Sequence, residues 1–111
     1  MIIGVTENGE VTLFDNLDHV MREWGRHPVD VACEVIVFYD EDGAWLEPVV
    51  TMRRRWLGLG ERIDSFTLRR NVSPGPGIDP VGLALFESSS LAPNPYFKSL
   101  DELKTRFPFS P

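Results

Sequence analysis

Two histidines raise the chemical question first, because imidazole is the side chain that ordinarily exchanges a proton near neutral pH. His19 follows Asp18 and precedes Val20, beside an apolar stripe but off it, and reads as a partly exposed surface histidine. His27 lies in Trp24-Gly25-Arg26-His27-Pro28, just past a predicted helix. There an imidazolium would complement the helix C-terminus by about 0.3–1 kcal/mol. The sharper alternative joins His27 with Arg26, Glu23 and an arginine of the 53–55 run as a ribonuclease-like acid–base set, although nothing in the spacing demands it. Cys33 is the only cysteine and falls in the apolar run VACEVIVFY. It reads as a buried, inert thiol rather than a nucleophile.

Other chemistries find less support. Neither histidines nor cysteines are paired at helical spacing, so no transition-metal site is expected. Asp40-Glu41-Asp42-Gly43 lacks the alternating ligands and the distant glutamate of a calcium loop, and reads as an acidic hairpin turn. Gly58-Leu59-Gly60 has no third glycine, and in Pro74-Gly75-Pro76-Gly77 each proline removes a backbone donor, so neither cradles a phosphate. No cofactor is expected. Arg53-Arg54-Arg55-Trp56 is a basic string beside an aromatic, but neighbouring side chains on a strand face opposite ways and cannot all grip one nucleic acid.

The charge layout is more informative. From Asp15 to Glu47, nine acidic residues stand against Arg22 and Arg26, a local net of −7. From Arg53 to Arg70, six arginines stand against Glu61 and Asp64, a local net of +4, in a chain whose overall charge is −6. An acidic balance disfavours nucleic-acid binding, since neutralising phosphates requires positive surface. The hairpin from Asp40 to Glu47 combines carboxylates with Trp45, as interface centres do, and Asp30, Glu34 and Glu47 would widen the same patch. Asp30, Glu34, Asp40, Glu41, Asp42, Trp45 and Glu47 are therefore the candidate partner-binding residues, suited to a basic partner that they attract at long range. The structural alternative is a solvated turn around a core tryptophan.

The elements that must position these groups follow from pattern. Ile2–Thr6 and Glu10–Phe14 read as a hairpin around Asn8-Gly9. Asp15 or Asn16 caps a helix whose Leu17, Val20, Met21 and Trp24 share a face, with Gly25 and Pro28 ending it. Val31–Tyr39 reads as a central strand buried on both faces. Ala44 begins a returning strand in which Pro48 implies an edge or a bulge. Arg62–Arg70 and Val81–Phe86 read as further strands, separated by the irregular stretch from Asn71 to Pro80. Ser99 and Glu102 form a capping box for a closing helix that presents Leu100, Leu103 and Phe107. The predicted order is β-β-α-β-β-β-β-α. This is an α+β fold: a single domain over residues 1–111, with one mainly antiparallel β-sheet and two helices packed on it.

The 111 residues, 42% of them hydrophobic and 25% charged, are enough to bury a core without staples. The opening MIIGVTENGE carries neither a basic region nor an apolar stretch of signal length, and no run is long enough to span a membrane. A lone cysteine fits a reducing compartment, so a cytoplasmic chain is expected. In length, negative charge, the Asp40-Glu41-Asp42 cluster with Trp45, and the closing segment Ser99-Leu100-Asp101-Glu102-Leu103, the chain resembles the small immunity proteins of bacterial toxin–immunity systems of the contact-dependent inhibition type. That resemblance implies a non-catalytic protein, monomeric outside its complex, whose acidic surface covers the electropositive cleft of a nuclease toxin. The alternatives are a small phosphodiesterase or RNA-processing enzyme built on His27 and the arginines, and a scaffold that binds without inhibiting.

Overall fold

The computed structural model describes residues 1–54, 61–71 and 80–108. The chain opens with the expected hairpin, β1 (Ile2–Thr6) and β2 (Glu10–Phe14), in register Ile2↔Phe14 to Val5↔Val11. Gly9 has φ +80°, the left-handed turn conformation that glycine adopts without steric cost. Helix α1 (Leu17–Trp24) starts where Asn16 accepts a hydrogen bond from the His19 N–H and ends at Gly25.

Beyond Gly25 the structure departs from the pattern. Pro28 does not terminate a helix but begins one, α2 (Pro28–Ala32), as its fixed φ and missing N–H suit a first helical position. The strand expected from Val31 starts only at Ile36: β3 is Ile36–Asp40. Between them Glu34 takes φ +59°, reversing the chain. Cys33 consequently sits at the end of α2 and is exposed, not buried as expected, because the residues around it form a helix end rather than a central strand.

Strands β4 (Trp45–Arg54) and β5 (Glu61–Asn71) pair antiparallel along their whole length. Only Trp45 and Leu46 of β4 pair with β3. Pro48 therefore lies where β4 has lost that neighbour, while the irregularity in register falls between Thr51 and Met52. The stretch from Asn71 to Pro80 falls mostly outside the described residues, as do Leu57 to Gly60. The apolar run expected as a strand is instead helix α3 (Val81–Phe86), with Val81 and Leu85 buried one turn apart. Six apolar residues carry no period that separates a strand from a buried helix, and Pro80 at the cap favours the helix. Two residues, β6 (Ser90–Leu91), then pair parallel to β2. Helix α4 (Leu100–Arg106) closes the order, with Ser99 accepting from the Glu102 N–H as expected; the Glu102 carboxylate reaches back to the Lys98 N–H.

The result is α+β, but among the described residues it has one six-stranded sheet, β5-β4-β3-β1-β2-β6, that is mixed rather than mainly antiparallel, and four helices rather than two. The helices cover both faces. Ile3, Val11, Leu13 and Tyr39 face α3 and α4 through Leu85, Leu103 and Phe107. Phe14, Ile36, Phe38 and Phe66 face α1 and α2 through Val20 and Val31. Period-two alternation along β1, β2 and β3 feeds both cores, so each strand reads as nearly continuous apolar sequence. Gly4 lies at the crowded centre: a β-carbon there would stand 2.9 Å from both Ile36 Cδ1 and Phe14 Cε2.

Candidate functional site

The seven candidate residues do not form one patch. Asp30 and Glu34 precede β3, while Asp40 ends it and Glu41 and Asp42 follow, which separates the groups by about 13 Å of strand. Asp40 is occupied structurally: Oδ1 accepts the N–H groups of Asp42 and Ala44, each at 2.9 Å, and Oδ2 lies 3.2 Å from Arg70 Nε. Asp42 is 3.9 Å from the same guanidinium, and Glu47 accepts a 2.7 Å hydrogen bond from Arg69 across the β4–β5 pair. Trp45 is half-buried against the core that includes Tyr39 and Leu103. Glu41 remains exposed at the turn. At this end of the molecule, arginines of the positive segment are bound to carboxylates of the negative one.

The histidines are held by their own helices. His19 Nδ1 accepts the Asp15 N–H at 3.1 Å, which leaves the proton on Nε2, 3.3 Å from Glu23 Oε1, and the ring stands edge-on to Phe14. His27 meets Asp30 at 3.7 Å and the edge of Trp24. Glu23, Trp24, His27 and Asp30 share a shallow depression of about 370 Å³. The arginine run that the acid–base alternative requires has no described side chains. Just past the end of β2, Tyr96 donates a hydrogen bond to the Asp15 carboxylate. That bond, with desolvation and the charges of Asp15 and Glu41, raises the Tyr96 phenol above its ordinary pKa.

At the opposite end of β3 lies the cavity that the sequence reading missed, about 390 Å³ in volume. Its sheet-side lining is Val5, Val37 and Tyr39, and Ala84 of α3 lies across from them. Its rim carries three carboxylates from three separate elements: Glu7 of the β1–β2 turn, Glu34 from the α2–β3 connection, and Glu87 at the end of α3. Backbone hydrogen bonds gather these segments, since Glu7 N–H donates to Val35 O and the N–H groups of Ser89 and Ser90 donate to Gly9 O. Ser88 is buried in the wall with its hydroxyl donating to Ala84 O. None of the three carboxylates is ion-paired among the described residues. Lys104 approaches α3, but its Nζ is directed at the carbonyls of Phe86 and Ser88. Of the seven partner-binding candidates, only Glu34 lines this cavity. Glu7 and Glu87 stand 80 residues apart, and no local pattern connects them.

The arrangement suits a cation that also carries apolar surface. No group of three or more His, Cys, Asp or Glu side chains among the described residues has the geometry of a metal site, and no helix is long and apolar enough to cross a membrane. Comparisons with protein-family models, with curated proteins and with solved structures returned no match to this chain.

Proposed function

We propose that this chain is a non-catalytic binding protein that neutralises a basic nuclease toxin, its acidic surface covering the electropositive cleft where nucleic-acid phosphates would otherwise lie. The observation that carries this reading is the imbalance between the two ends of β3. Asp40, Asp42 and Glu47 of the 40–47 hairpin are matched by Arg69 and Arg70, whereas Glu7, Glu34 and Glu87 line a cavity with no basic partner among the described residues. Uncompensated charge on a concave surface attracts a positive partner and accelerates its capture. On this reading the protein acts in the cytoplasm, as a monomer that forms a one-to-one complex. The test is co-expression with a basic nuclease domain encoded next to the chain. Cells should survive with the native protein, and cell death despite folded, expressed protein rejects the proposal.

One observation favours a second reading, a small phosphodiesterase: Glu23 and His27 do line the same depression. His27→Ala should then abolish turnover of RNA. Absence of turnover in the native chain removes that reading.

A further inference from the structure

The cavity at Glu7, Glu34 and Glu87 has a shape and chemistry that specify its occupant more narrowly than charge alone. Its volume of about 390 Å³ falls in the range of small-ligand sites, so it can take one side chain rather than a strand or a helix. Val5, Val37, Ala84 and the Tyr39 ring give it apolar wall, while Thr6, Asn8, Ser88 and the three glutamates supply polar lining. A small inorganic cation would leave those walls unused and finds no clustered ligand set among the described residues. An aliphatic stem ending in a broad, multi-donor cation satisfies both parts.

We propose that this cavity receives an arginine side chain from the partner, its methylene stem on Val5, Val37 and Tyr39 and its guanidinium among the carboxylates of Glu7, Glu34 and Glu87. The proposal rests on the reading of the chain as a binder of a basic protein. Arginine fits better than lysine because five N–H donors fan out in a plane and can meet acceptors on separate elements at once. A compact ammonium would meet fewer of them.

The experiment is a titration of the full chain with N-acetyl-arginine amide, followed by amide-resolved NMR. N-acetyl-citrulline amide serves as the uncharged match in shape. Saturable shifts are expected at the amides of Glu7 to Gly9, Glu34 and Ser88, with little response to the citrulline compound. Glu34→Gln combined with Glu87→Gln should weaken the arginine compound at least about tenfold, a loss of about 1.4 kcal/mol, while the remaining amide pattern shows an intact fold. Equal shifts from both compounds, shifts centred on Trp24 and His27, or unchanged affinity in the double variant would each overturn the proposal. A toxin complex that forms at full affinity with the double variant also overturns it, yet leaves the neutralising role standing. Arginine binding without any protection from toxin supports the cavity and rejects that role.

Discussion

Glu34 is the described non-glycine residue with a positive φ, and its backbone carries a cost to the fold. Its φ of +59° places a β-carbon in the left-handed region, which disfavours side chains by about 1–2 kcal/mol. Glycine would relieve that strain but lose more chain entropy on folding. Glu34→Gly should therefore stabilise the protein by about 0.5–1 kcal/mol in urea denaturation, while removing one carboxylate from the cavity. A loss of stability would mean that Glu34 contributes an interaction to the fold itself. Tyr96 offers a second test, in its titration. Its pKa is raised above 10.0 mainly by the hydrogen bond to Asp15. A raised folded value stabilises the protein below the unfolded pKa, and this contribution disappears as pH rises through the folded value. Stability measured against pH should thus fall on the alkaline side in the native chain and lose that component in Tyr96→Phe. Asp15→Asn should return tyrosinate absorbance towards the ordinary titration.

At the scale of elements, the β3–β4 turn is stabilised by one carboxylate. Asp40 accepts two backbone N–H groups and faces Arg70, which joins the turn to β5. Gly43, at φ +85°, lets the turn close against Val81. Asp40→Ala leaves those donors without their acceptor and should cost about 2 kcal/mol by thermal or urea unfolding, with the partner affinity of the folded fraction unchanged. Sequence showed this turn as acidic but not which charges it uses internally. The same limit applied to α2 and α3. Both are short helices whose apolar residues, Val31, Val81 and Leu85, are chosen by the two cores rather than by helical periodicity. With helices on each face, the sheet is a middle layer, so its strands carry apolar residues on both sides.

The whole molecule is more extended than its length implies. Its radius of gyration is 15.0 Å, against roughly 13 Å for a compact chain of this size. The β4–β5 ribbon runs on past the last pair with β3. Charge is divided along the molecule as well as along the chain. Asp40, Asp42 and Glu47 are paired with arginines at the 40–47 hairpin, whereas Glu7, Glu34 and Glu87 have no ion pair among the described residues, so the proposed partner surface lies at their end. Glu34→Lys with Glu87→Lys should slow association with a basic nuclease domain by at least about tenfold at low ionic strength and flatten its salt dependence. Asp40→Lys with Asp42→Lys should instead lower the unfolding temperature. Stopped-flow association at two salt concentrations distinguishes the two ends, and equal effects on rate would reject the assignment of the partner surface.

The first hairpin, α1 and α4 were determined by sequence alone, because the interactions that decide them are local: Asn8-Gly9 turns the chain, and Asn16 and Ser99 each cap a helix three residues ahead. The long antiparallel partners β4 and β5 were legible for a similar reason, as alternating runs on either side of the sequence Leu57-Gly58-Leu59-Gly60. Tertiary structure alone decided the rest. Glu47 meets Arg69 and Asp40 meets Arg70 only because strands distant in sequence lie in register. Glu7, Glu34 and Glu87 share a rim only because a turn, a helix connection and a helix end converge at one end of the central strands β1 and β3. Sequence records how many charges there are and their order, but a charge is neutralised by whatever lies within a few ångströms, and folding sets that distance.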